Sequence, residues 1–245
     1  MIESAEATAR VAGDGIYRLH GAPDNANFVV RMVLEELAVA YEFVSVDRAS
    51  GEQKSETYRK LNPQGLIPVL EVPGQDAVTF ETGAILLMLS ERHGVLAPDP
   101  VSPARGRFLK WLFFISNTLH ADLRISFKPH RYMPETACMP DLNAALRSRI
   151  DASFAILEQE LAALEGPFLL GADLSCLDFY LAACARWAQI YGTCGRWPAD
   201  GCPRLMELFA QLEARPSIQR ACEHELIEGA PFTAPMPVAF AREKL

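Results

Sequence analysis

Up to Gly94 the chain switches repeatedly between two hydrophobic periods, and beyond Arg105 it keeps only one. GIYRLHG alternates as a short strand ended by Gly21 and Pro23. From Asn27 to Ala40, Val30, Val33, Leu34 and Leu37 recur at helical spacing, with the cap-forming residues Asp24 and Asn25 just ahead. YEFVSV alternates again and SETYRKL reads as a short helix. IPVLEV and AVTF are brief strands separated by the turn PGQD, and ETGAILLMLSERHG is a helix closed by Gly94. VLAPDPVSPARG, with three prolines, suits a linker. After it, helices are predicted over Arg105–Leu123, Asp141–Glu165, Ser175–Ile190 and Pro203–Ala214, with a short one over Ser217–His224. A β-α-β-α-β-β-α unit followed by helices alone predicts a small α/β domain joined to an all-α domain. The boundaries read as an extension over 1–14, an α/β domain over 15–94, a linker over 95–104, a helical domain over 105–228 and a tail over 229–245.

Charge and composition exclude several functions. The net charge of −8 lacks the basic excess of a nucleic-acid binder. The first residues carry two early glutamates and no apolar core segment, and AILLML is too short to span a bilayer, so a cytoplasmic location without membrane attachment is expected. All six cysteines lie at or beyond position 138 and none forms a C-x-x-C pair, so neither a metal site nor a dithiol redox site is expected. Free thiols in a reducing compartment are the plain reading.

Two segments carry chemistry. In NPQGLIPVLEV, Pro68 stands immediately before a strand, where it would remove a ladder donor unless placed at an edge. Such a proline often adopts the cis form, leaving the N–H and C=O of Ile67 able to pair with an extended peptide; an ordinary edge proline is the alternative. In FETGAI, Glu81 and Thr82 occupy the first turn of a helix. A carboxylate, a hydroxyl and open backbone N–H groups there can grip the ammonium and carboxylate of an amino-acid end. Plain helix capping needs the same residue types.

The ordered conjunction of these segments resembles the cytosolic glutathione S-transferases. FLLGADLSCLDFYLA resembles that family's buried capping box, with Ser175 as N-cap, Asp178 three residues on and Leu174 with Phe179 as staple. LEARPSIQRA resembles its closing segment, and the first helix is similar to that of bacterial beta-class members. The resemblance implies the glutathione S-transferase fold: an α/β thioredoxin-like N-terminal domain plus an all-α C-terminal helical domain. It implies glutathione as cosubstrate, with Ile67 and Pro68 pairing with the cysteinyl backbone and Glu81 and Thr82 holding the γ-glutamyl end. Lys54 is the candidate for the glycine carboxylate. Leu66 stands where many relatives carry Lys or Gln beside the ligand. A homodimer through the helices near Glu81–His93 and Arg105–His120 is also implied.

The turn HGAPDNANF, residues 20–28, has no hydroxyl and no cysteine. Ionising a free thiol at neutral pH needs a downward pKa shift of roughly two units, or about 2.7 kcal/mol. A hydrogen bond to the charged sulfur supplies about 1.5–3 kcal/mol and the helix N-terminus about 0.3–1 kcal/mol. An asparagine NH2 can therefore serve, with Asn27 the first candidate and Asn25 the second, while Asp24 is expected to cap the helix. Both asparagines could instead simply build the turn. Without a cysteine here, glutathione itself must be the reacting thiol.

Further on, Asn117, His120, Arg124 and Phe127 recur at three- or four-residue steps and would share one helical face towards the electrophile. His120 could act as a proton relay or a cation; a solvated face or a dimer contact is the alternative. The resulting expectation is a glutathione transferase acting on a small apolar electrophile in detoxification, by conjugation or by peroxide or disulfide reduction. A non-catalytic glutathione- or ligand-binding protein of the same fold is the alternative.

Overall fold

The computed structural model describes residues 15–134 and 139–239. The expected extension over 1–14, Cys138 and residues 240–245 lie outside the described residues. Four strands, β1 (Tyr17–Gly21), β2 (Tyr41–Ser45), β3 (Val69–Glu71) and β4 (Thr79–Phe80), form one sheet in the order β2-β1-β3-β4. β2 runs parallel to β1, the connection passing through helix α1 (Asn27–Glu36), whereas β3 and β4 are antiparallel to their neighbours. Helix α2 (Glu56–Leu61), capped by the Ser55 hydroxyl accepting from Tyr58 N–H, precedes β3. Helix α3 (Thr82–His93) follows β4 and ends on Gly94 in the left-handed region.

α1 stops short of the predicted Ala40. Leu37 closes it, and Ala38 takes a positive φ of 51°, turning the chain into β2. The periodic apolar residues define which face is buried but do not set where the return begins.

The helical part comprises α4 (Arg105–Phe114), α5 (His120–Phe127), α6 (Met139–Ala162), α7 (Cys176–Ile190), α8 (Pro203–Glu213) and α9 (Pro216–His224). α4 and α5 are continuous through a wide π-helical turn at Ile115–Leu119, an insertion that shifts the angular phase of everything after it. α7 is the central helix and is buried along nearly its whole length. Its start carries the expected capping box, with Asp178 accepting from Ser175 N–H at 2.8 Å and Leu169 N–H at 2.9 Å. Burial pushes the Asp178 carboxyl up to about 6.

One apolar core runs from Leu19, Phe28 and Val33 of the α/β part into Leu112, Phe179 and Leu181 of the helices. After α9 the chain folds back across this core: Phe232 and Val238 are buried. The Phe232 ring lies 6.2 Å from Phe28 and 6.4 Å from Phe209. Among the described residues no helix is long and apolar enough to cross a membrane.

Candidate functional site

Strand register brings three segments to one end of the sheet. His20 pairs with Val69, and Val69 with Phe80. Continuing those registers sets Ala22 level with Ile67, and Pro68 level with both Gly21 and Glu81. The turn before α1, the Ile67–Pro68 bond and the start of α3 therefore meet.

The Ile67–Pro68 peptide is cis. The preceding carbonyl, that of Leu66, is fixed by the Asn62 amide at 2.9 Å and the Tyr58 hydroxyl at 3.1 Å. Gly65 allows the loop, because its φ is 63° and a Cβ there would lie 2.7 Å from the Gln53 carbonyl oxygen. Among the described residues nothing bonds the backbone N–H or C=O of Ile67. Glu81 is exposed and accepts from the Gln64 amide at 2.9 Å, while Thr82 is buried. Lys54 ends a short 3-10 turn and is exposed, with no ion pair among the described residues.

The turn itself departs from expectation. Asp24 does not cap α1: the N-cap position is Ala26 and no side chain caps the helix. Asp24 turns instead into the helical domain, where Arg186 grips it at 2.9 Å to each carboxylate oxygen. The Trp187 indole N–H (3.1 Å) and the Tyr191 hydroxyl (2.5 Å) add two further bonds. A carboxylate this buried needs a cation, and the guanidinium outcompetes backbone amides.

Asn27, the first candidate for the thiol donor, is engaged within the protein. It is fully buried; its carbonyl oxygen accepts from Ala22 N–H at 3.1 Å and its NH2 donates to Glu225 at 2.9 Å. Asn25 commits its NH2 to the carbonyls of Pro23 (2.8 Å) and Ala22 (3.3 Å) and accepts from Arg48. Both asparagines build the turn. What remains open is backbone: among the described residues the N–H groups of Ala26 and Asn27 have no acceptor. Arg48, exposed, donates to the Asn25 side chain of the same turn.

The four residues expected on one face do not share it. The wide turn at Ile115–Leu119 leaves Asn117 and Arg124 exposed while His120 turns towards α7. His120 Nδ1 lies 2.7 Å from the Tyr180 hydroxyl, and its ring packs 5.3 Å from that of Trp187. Phe127 packs edge-on against Tyr191 at 6.3 Å. Burial, then the Arg124 charge, push the His120 pKa down to about 4. It is therefore neutral near pH 7, which corrects the expectation of a cation. With its folded pKa below the ordinary 6.5, the unfolded chain protonates first. This group's contribution to stability is complete above about pH 6.5 and is lost as pH falls from there to about 4, by about 3 kcal/mol. Denaturant curves across that range should show a smaller loss of stability on acidification in His120→Gln than in the wild type.

Sequence reasoning missed Arg186, Tyr180, Trp187 and Glu225. One signal was present: Arg186 is a charge in the middle of the apolar run CLDFYLAACARWAQI, where an unpaired charge is prohibitive. Among the described residues, the cysteines of the helical domain take no part in the site. Burial pushes the thiols of Cys176 and Cys222 up to about 12 and raises those of Cys184 and Cys202 as well.

Residues 28–92 match the glutathione S-transferase N-terminal domain family and residues 140–211 the corresponding C-terminal domain family. The chain belongs to the glutathione S-transferase family. It is 28% identical over 193 residues to glutathione S-transferase GstB of Escherichia coli K12, covering 78% of this chain and 89% of that one. It is 25% identical over 210 residues to glutathione S-transferase GST-4.5 of Xanthomonas campestris, covering 85% and 98%. The fold superposes on a glutathione transferase homologue from Sulfitobacter with bound glutathione, with a TM-score of 0.74, 25% identity and 85% and 98% coverage. A sphingomonad glutathione S-transferase complexed with glutathione gives a TM-score of 0.71 at 25% identity, with the same coverage.

Proposed function

We propose that the protein binds glutathione at the meeting point of the three segments and activates its thiol for transfer to, or reduction of, a small apolar electrophile. The observation that carries this reading is the unbonded Ile67 backbone at the cis Pro68, level with the start of α3 and with the turn before α1. The cysteinyl backbone pairs with Ile67. The γ-glutamyl end meets Glu81 and the Thr82 N–H, and Lys54 or Arg48 meets the glycine carboxylate. The sulfur then faces the uncapped start of α1, where the Ala26 and Asn27 N–H groups and the helix dipole favour its anion. Arg48 adds a positive charge on the same side. With no cysteine in the turn, the reacting sulfur is glutathione's own. A cytoplasmic role in detoxification follows from this chemistry.

A ligand-binding protein without turnover is the second reading, favoured by the engagement of both asparagines within the turn. Recording the thiolate absorbance of bound glutathione against pH separates the two. Half-ionisation near neutral pH is expected, about two units below free thiol; an unshifted curve leaves binding alone. We further propose a homodimer through α3 and α4, where Phe113 is 56% exposed on α4. Light scattering should give twice the chain mass, and a monomer would refute it.

A further inference from the structure

The turn that would hold the sulfur is anchored from the far end of the chain. Arg186, wholly buried in α7, spends its guanidinium on the Asp24 carboxylate and on the carbonyls of Pro231 (3.2 Å) and Met236 (2.8 Å). Glu225, just past α9 and equally buried, accepts from the Asp24 N–H at 2.8 Å, the Asn27 NH2 at 2.9 Å and Arg31 Nε at 2.6 Å. Backbone and side chains of the turn are thus fixed at both ends. Asn27 fits there only because residue 21 is glycine: a Cβ on Gly21 would lie 2.3 Å from the Asn27 Cγ.

Charge is balanced as well. Two carboxylates, Asp24 and Glu225, face two guanidiniums, Arg186 and Arg31. An uncompensated carboxylate at residue 24 would raise the free energy of a neighbouring thiolate, whereas a paired one largely cancels.

We propose that Arg186 and Glu225 are positioning residues for thiol activation: by clamping and neutralising the turn over residues 22–27, the helical domain sets where the Ala26 and Asn27 N–H groups point. The proposal rests on the glutathione reading above. Neither residue needs to touch the tripeptide; each acts through Asp24 or Asn27. The C-terminal strap over residues 231–236 belongs to the same device, because its carbonyls complete the coordination of Arg186.

The test measures thiolate absorbance of bound glutathione against pH in the wild type, Arg186→Lys, Glu225→Gln and Tyr191→Phe, with steady-state kinetics on the same samples. Arg186→Lys keeps the charge but loses the fork. Tyr191→Phe removes only one hydroxyl bond to Asp24, and so guards against loss of folding in the other two. The half-ionisation point should rise by about one unit in Arg186→Lys, by less than that in Glu225→Gln, where the freed Arg31 charge partly offsets the lost clamp, and by about half a unit in Tyr191→Phe. In the first two, kcat should fall about tenfold while the KM for glutathione changes by less than about threefold. Folded variants with the wild-type ionisation curve would overturn the positioning role and leave the glutathione reading standing. A wild type that retains no glutathione, or binds it with an unshifted thiol, would overturn both.

Discussion

Replacing Asp24 with alanine is expected to lower the free energy of unfolding by about 3–5 kcal/mol. The carboxylate is the acceptor for four side-chain bonds, from Arg186 twice, Trp187 and Tyr191, and the Arg186 side chain has no exposure to water. Alanine leaves that guanidinium charged with only two carbonyls for partners. The cost is mostly the stranded charge, not the lost attraction, so removing both partners should hurt less than removing one. Urea unfolding of Asp24→Ala and of Asp24→Ala/Arg186→Met tests this directly. A double variant less stable than the single one would show that the pair's own attraction dominates.

Phe232→Ala should be nearly as damaging, costing about 3–5 kcal/mol as a large-to-small change in a packed interior. Phe232 is fully buried, its N–H donates to Glu213 at 2.7 Å, and its carbonyl accepts from Gln189 at 2.8 Å. The cavity would open against Phe28 in the first turn of α1. Thermal unfolding should show a large loss, whereas Phe113→Ala, at a ring 56% exposed, should change the monomer's stability little. Equal effects would mean that the tail is not part of the core.

Local pattern and long-range pairing divide what could be read in advance. The spacing of Val30, Val33 and Leu34 places α1, and Gly94 ends α3, because helix formation and capping depend on residues within a few positions. NPQGLIPVL and ETG were legible for the same reason: a cis proline and a helix start are local events. Asp24 was misjudged because its partner is 162 residues away, and Asn27 because its partner is 198 away. Nothing in the turn distinguishes a carboxylate that caps a helix from one that crosses to another domain. The face shared by Asn117 and His120 failed for a different reason. Counting in steps of three and four assumes an unbroken α-helix, and the π turn at Ile115–Leu119 inserts an offset that no single residue announces.

The protonated cysteines of α7 and α9 bear on the proposed chemistry. The proposed reaction would bring soft electrophiles to an activated nucleophile, with self-alkylation as its hazard. Cys176 and Cys184 lie out of reach of water, Cys222 is nearly so, and all three remain un-ionised at neutral pH, so they offer incoming reagents almost no competing anion. Immunity is achieved by burial, and so these sulfurs can serve as ordinary packing material.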